Sequence, residues 1–225
     1  MTPAQVAAKL RQYIDEPDQT FVSDADVETY LDDGYREFRN MVCDINPMIY
    51  NVTEQMVFSS ERTHDLSVST GDAKSLLGTA TSSADAPGGP MVRLNAITRV
   101  GTDGNVTQRL EAVSSAQALD VVPSSYYLAN TTLRFSSKLT GTFNVDYVPH
   151  VDITWTSSTY NVDNLTPFHD LIALLAYRQY AIVDGAESDP VLRQTATRLR
   201  EFQEYLQARA FDGYDYVQTV PWYGY

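Results

Sequence analysis

Cysteine and histidine are scarce in this chain of 225 residues. Cys43 is the only cysteine, which excludes an intrachain disulfide and a multi-cysteine metal cluster and suits a reducing compartment. The three histidines, His64, His150 and His169, are scattered. None belongs to a His-x-x-x-His or His-Glu-x-x-His pair, the spacing that places two ligands on one helical face. The sequence therefore predicts no metal site and no cofactor.

Basic residues and long apolar runs are also lacking. The 16 Lys and Arg stand against 29 Asp and Glu, which gives a formal net charge of −13. This balance argues against nucleic-acid binding as the main activity, because contacts to phosphates need clustered Lys and Arg. The longest apolar run, residues 171–177, stops at Arg178, whereas a membrane span needs about 20 apolar residues. We expect no membrane contact, and residues 1–14 lack the features of a secretion signal.

Catalytic motifs are missing too. The chain contains no nucleophile elbow, P-loop or dinucleotide-binding glycine pattern. The acidic residues 24–28 resemble the start of a calcium loop, but Thr29 and Tyr35 stand where Gly and Glu are required. Asp32 and Asp33 are adjacent on a predicted helix and so point in different directions. The sequence predicts that the protein is not an enzyme, with a small carboxylate hydrolase as a remote alternative.

Helical patterns occupy both ends of the chain. Residues 3–14 form one predicted helix, and a second begins at Ser23, whose hydroxyl can cap it, and ends before Pro47. Near the other end, one predicted helix follows Pro167 and another follows Pro190. The first of these carries an apolar stripe. Its members are Phe168, Leu171, Ile172, Leu175, Ile182 and Val183.

The middle of the chain changes to strand signals. One hairpin is predicted to join residues 96–100 to residues 106–110 through Asp103-Gly104. A second joins residues 126–128 to residues 133–135, and a third run is predicted to begin at Gly141. The element order predicts an α+β protein. It is a mainly α-helical bundle of two N-terminal and two C-terminal helices, with a central antiparallel β insert and an extended C-terminal tail.

These elements predict four segments. Residues 1–50 form an N-terminal helical pair, and residues 51–150 form the β insert. Within the insert, the Gly-, Ser- and Pro-rich residues 78–90 are expected to be a mobile loop. Residues 151–211 form a C-terminal helical hairpin that completes the bundle, and residues 212–225 form an aromatic docking tail.

The tail is the most unusual segment, because five aromatic residues lie within its fourteen positions without a regular period. Burying such rings contributes a large hydrophobic gain, but ordering the tail costs a similar amount of conformational entropy. We therefore expect the tail to order on a partner, while packing against its own subunit stays open. The candidate docking residues are Tyr214, Tyr216, Val220, Trp222, Tyr223 and Tyr225.

One segment, residues 18–38, carries a set of residues that is found together in a known family. They are Phe21, Ser23, Asp24, Val27, Tyr30, Leu31, Asp32, Gly34, Glu37 and Phe38. With these residues the segment resembles the opening of phage head-to-tail adaptor proteins. The resemblance extends in outline through the β insert, residues 113–119, residues 147–149 and residues 166–211, which is most of the chain.

This resemblance implies a structural protein of the virion neck that is made in the cytoplasm of a bacterial host. Proteins of that family form a ring, usually dodecameric, beneath the portal protein. Their C-terminal segments commonly dock on the portal, while tail or head-closure proteins attach below and double-stranded DNA passes through the channel without specific binding. The aromatic terminus departs from the plainest pattern of that family, so its residues are a separate hypothesis for the portal-binding contact and are not carried over from the resemblance. A head-closure or tail-completion protein is the main alternative.

Overall fold

The computed structural model describes the chain as two compact units. The helical unit combines Met1–Ile49 with Ile153–Tyr225, and the β unit is Tyr50–Asp152. The predicted loop at 78–90 and the tail residues 213–225 lie outside the described residues. Those described are 1–15, 21–67, 76, 91–185 and 189–212.

The helical unit contains four α-helices, whose bounds are α1 Pro3–Ile14, α2 Asp24–Ile45, α3 His169–Asp184 and α4 Asp189–Asp212. The start of α2 is confirmed at Ser23. The Ser23 hydroxyl accepts a hydrogen bond from the Asp26 N–H, and the Asp26 carboxylate accepts one from the Ser23 N–H, both at 3.2 Å. This reciprocal cap satisfies two backbone donors and contributes about 1 kcal/mol.

The predicted fold class is wrong in how the helices are arranged. They do not form an N-terminal pair and a C-terminal pair, because α3 packs most extensively against α2 and then against α1, whereas α1 and α2 touch little. The physical reason lies in α3, where residues 171–177 are all buried. A helix that is apolar all round needs neighbours on several sides, and the amphipathic α1 and α2 each bury their stripe against it.

The end of α3 departs from its predicted apolar stripe. Ile182 and Val183 are 70% and 68% exposed, although helical spacing assigned both to the buried face. Burial in α3 ends at Ala181, so the last turn extends past its neighbours. Periodicity along a helix cannot reveal where the surrounding helices stop.

The β unit is a six-stranded sheet with its own core, so the protein is not mainly a helical bundle. The strand order is β3-β2-β6-β5-β4, and β1 also pairs with β6. The sheet is mixed, not antiparallel as predicted, because β4 runs parallel to β5. The strands are β1 Val52–Asp65, β2 Met91–Val100, β3 Val106–Arg109, β4 Glu111–Ala112, β5 Ser125–Ala129 and β6 Thr132–Pro149.

Strand β6 is the centre of this sheet. It pairs antiparallel with β1, β2 and β5. The two predicted hairpins are confirmed as β2–β3 and β5–β6. The third predicted run is not a separate strand, because β6 continues through Gly141, whose φ of +112° permits a sharp local change that other residues rarely adopt.

Aromatic rings fill the core of the β unit. The ring of Phe58 lies 5.3 Å from those of Phe135 and Phe143, measured between centroids. All three side chains are almost fully buried. Leu76 is buried as well, and its N–H donates to the Leu66 carbonyl at 2.8 Å. The alternation of buried and exposed residues in β1 and β6 supplies these inward-facing side chains.

Candidate functional site

The six predicted portal-binding residues lie outside the part of the chain that the structure describes. Their role stays a prediction, and the described residues supply the other candidate sites. These are the three histidines, the paired carboxylates, one pocket and the charged surfaces.

His169 is a buried structural residue. It has no exposed surface, and its Nε2 lies 2.8 Å from Asp163 Oδ1. The same carboxylate oxygen accepts the Leu165 N–H at 2.7 Å, and His169 Nδ1 lies 3.0 Å from the main-chain oxygen of Met1. The imidazole therefore joins the segment before α3 to the segment before α1. This arrangement stabilises the helical unit and offers no open face to a substrate.

The other two histidines lie in the β unit. His64 is 3% exposed, and its Nδ1 lies 3.2 Å from Glu61 Oε2. Its ring meets the Phe58 ring in a T-shaped contact, with centroids 5.4 Å apart. His150 lies on the surface with Nε2 2.8 Å from Asp152 Oδ1. Within the described ranges, no group of three His, Cys, Asp or Glu side chains is placed to hold a metal ion.

The adjacent carboxylates Asp32 and Asp33 point to different partners, as their helical positions require. Asp32 accepts a hydrogen bond from the Trp155 indole N–H at 2.7 Å. Asp33 forms an ion pair with Arg36 at 2.9 Å, one turn along α2. The pair therefore does not form a shared acid–base site. Trp155 could not be assigned this role from sequence, because it lies far along the chain in a segment with no regular element.

Two arginines hold the helices of the helical unit together. Arg178 on α3 donates to both carboxylate oxygens of Glu37 on α2, at 2.5 and 2.6 Å. Arg198 on α4 donates to the two oxygens of Asp170 on α3, at 2.7 and 2.9 Å, and its guanidinium lies over the Phe168 ring. The hydrogen bonds that Arg198 donates to the Asp170 carboxylate raise the pKa of the guanidinium well above its ordinary value. The Arg198 contact is bidentate, through Nε and Nη2, whereas Arg178 reaches both Glu37 oxygens through Nη2 alone. Both contacts are structural clamps between helices.

The β unit contains an open pocket with a volume of about 310 Å³. Burial raises the pKa of the Tyr126 hydroxyl in its wall, and the nearby Arg109 charge opposes that shift. The pocket brings together an amide, a guanidinium and a carboxylate, without a nucleophile beside a base. Its lining residues are Asn95, Arg109, Leu110, Glu111, Ala112 and Tyr126.

Two further findings concern the chain as a whole. Of the helices that the structure describes, none combines the length and the apolar character needed to cross a membrane. No protein-family model matches the chain, and a search of curated proteins finds no relative.

Proposed function

We propose that this protein is a structural subunit of the neck of a tailed phage, a head-to-tail adaptor that forms a ring beneath the portal protein. In this role it has no catalytic activity. It extends the DNA channel and presents a platform to tail or head-closure proteins. The work of such a subunit is mechanical, so its functional sites are surfaces.

The observation that carries the proposal is where the adaptor-like residues of α2 lie in the fold. Val27, Leu31, Gly34 and Phe38 are all buried, and Gly34 directly contacts the backbone of α3. Residues at these positions decide how closely the two helices approach and which side chains fill the space between them. A resemblance carried by core positions is therefore support for a shared helical frame.

Exposed apolar side chains give second support. Phe21, Val121 and Ile182 are 88%, 79% and 70% exposed. Leaving large apolar groups in water costs hydrophobic free energy that a neighbouring subunit recovers when it covers them. In the proposed ring, these side chains are candidates for burial against a neighbouring subunit.

The charge of the chain fits a channel through which DNA moves. Twelve copies at −13 each would carry a formal charge of −156. Carboxylates that face a lumen repel phosphates, and screening limits the repulsion to about 8 Å at physiological salt. DNA would then pass without specific binding.

The direct test combines the purified protein with the purified portal protein of the same phage. Electron microscopy of the mixture is expected to reveal a symmetric ring seated on the portal. Incubation with tails in place of the portal is the control for order of attachment. A protein that ignores the portal but joins isolated tails would favour the head-closure or tail-completion alternative and would contradict the adaptor role.

A further inference from the structure

Negative charge is unevenly divided between the two units. The helical unit has 19 acidic and 9 basic residues, a net charge of −10, whereas the β unit has 10 and 7, a net charge of −3. The first ten residues of α2, positions 24–33, include five carboxylates and no cation. Asp24, Asp32 and Asp33 bond to neighbours within the unit. Glu28 is exposed to solvent on the same segment.

The β unit has a bulge where positive charge collects. Glu61 of β1 pairs with Leu139 of β6, and Thr63 pairs with Arg134. Arg62 of β1 therefore lies opposite four residues of β6, 135–138. Of these, Phe135 still pairs with β5, whereas residues 136–138 bulge out of the ladder. Pairing resumes where Leu139 meets Glu61, and after one further register shift it is regular from Thr140 onward.

Four cations surround this bulge, which we call the basic bulge. Arg134 and Lys138 belong to β6 itself, and both are exposed. Arg62 reaches the Ser136 carbonyl oxygen at 3.5 Å. Arg99 on β2 donates to the Thr140 carbonyl at 3.2 Å. The basic bulge therefore consists of Arg62, Arg99, Arg134 and Lys138.

These cations have no acidic counterpart in the part of the chain that the structure describes. None of the four forms an ion pair there, and the nearby Glu61 carboxylate is engaged with His64. An arginine has five N–H donors, and the bonds to Ser136 and Thr140 use only one each of Arg62 and Arg99. The remaining N–H donors of Arg62 and Arg99 are available to a partner that is rich in carboxylates.

We infer that the basic bulge binds the acidic first half of α2 in a second copy of this chain. The two surfaces are complementary in charge and are different patches, so the contact is heterologous and closes into a ring when the rotation between copies permits. The inference deepens the proposed function by naming the contact between ring subunits. Double-stranded DNA is the less favoured partner, because a chain with a net charge of −13 repels it overall.

The test is the association of the full chain, measured by sedimentation velocity at 50 mM and 500 mM salt. Arg134→Glu with Lys138→Glu is expected to weaken association at least tenfold, and high salt is expected to weaken the unmodified chain in the same way. Arg200→Glu with Arg209→Glu is the control, because it changes the net charge equally from exposed positions on α4, away from the acidic half of α2. Arg134→Gln with Lys138→Gln repeats the test if the Glu variant unfolds. Equal association of the bulge and control variants, or a monomeric, salt-insensitive chain, overturns the inference.

A mixing experiment identifies the partner surface. Glu28→Lys with Thr29→Lys alters the acidic surface and keeps the basic bulge, so neither this variant nor the bulge variant should associate alone. Mixed together, they retain one intact contact, and native mass spectrometry is expected to detect mixed dimers. Absence of mixed dimers overturns the inference, as does a bulge variant that assembles normally but no longer binds double-stranded DNA. Portal binding, measured separately on the same variants, tests the adaptor role independently.

Discussion

Gly34 on α2 lies against the backbone of Ala176 on α3. A Cβ placed on Gly34 would come within 2.7 Å of the Ala176 nitrogen and 2.9 Å of the Ile172 carbonyl oxygen. Backbone atoms of a buried helix cannot move aside as the end of a flexible side chain can. The two helices can therefore approach this closely only because Gly34 has no side chain.

Gly34→Ala should destabilise the protein by about 1–3 kcal/mol, which is the typical cost of overpacking a core. In an open helix the same change would stabilise by about 1 kcal/mol, so the sign of the effect is diagnostic. Chemical denaturation measures it, with Asn40→Ala on the exposed face of α2 as the control. A stabilised Gly34→Ala variant would contradict the close approach.

Removing the partner of a buried histidine should be costly. Asp163→Ala leaves His169 buried without its carboxylate and also removes the acceptor of the Leu165 N–H, and we expect a loss of about 1–3 kcal/mol in unfolding free energy. The matched control is Asp152→Ala, because Asp152 lies at the same 2.8 Å from His150, but on the surface. An exposed pair contributes about 0–1 kcal/mol. Equal losses in the two variants would mean that burial does not decide the value of the contact.

The tip of the β2–β3 hairpin should titrate abnormally. The Asn105 side-chain and backbone N–H groups donate to Asp103 and hold the pKa of its carboxyl below the ordinary value. A lowered pKa in the folded state means that this contribution to stability is present above the unfolded pKa of about 3.9 and is lost as the pH falls through the folded pKa. Carboxyl NMR titration should detect the shift.

Asn105→Ala removes the side-chain bond of that tip but keeps the backbone one. It should therefore move the pKa of Asp103 only part of the way back to its ordinary value. Asp65, whose pKa is lowered by bonds from Ser67, is the internal control and should not change. A shift of both carboxyls would indicate a general electrostatic change in place of a local hydrogen bond.

The aromatic tail gives a prediction about binding. Deletion of residues 212–225 should leave a folded subunit, with a thermal midpoint within about 2–4 °C of the full chain, the range expected for a loss of about 1 kcal/mol in a protein of this size. Binding to the portal protein should be lost. Replacement of the six candidate docking residues by serine in the full-length chain is the control for the deletion itself. Unchanged portal binding would move the interface elsewhere.

Local signals were enough to predict some elements. The cap of α2 depends on Ser23 and Asp26, three residues apart, so the sequence indicated it directly. The hairpin with Asp103-Gly104 at its tip was readable for the same reason. The arrangement around α3 was not, because the helices that cover it come from the other end of the chain. Sequence spacing therefore assigned Ile182 to the core, although the neighbouring helices do not reach that turn of α3.

The charged sites were harder to foresee than the elements. Arg62 and Arg134 are distant in sequence, and only the irregular register between β1 and β6 brings them together. The clamp between Arg198 and Asp170 likewise depends on how α4 packs on α3. Composition indicated an acidic chain, but it could not indicate that four of the seven cations of the β unit lie around one bulge.

The order in which the ribosome makes these parts has its own consequence. The partner that buries α1 and α2 is α3, which begins 124 residues after α2 ends at Ile45. At about 5–20 residues per second, those two helices wait roughly 6–25 s for it. The β unit is one continuous segment that emerges complete within this interval. We expect it to fold first during translation, while the apolar stripes of the early helices depend on chaperones for protection.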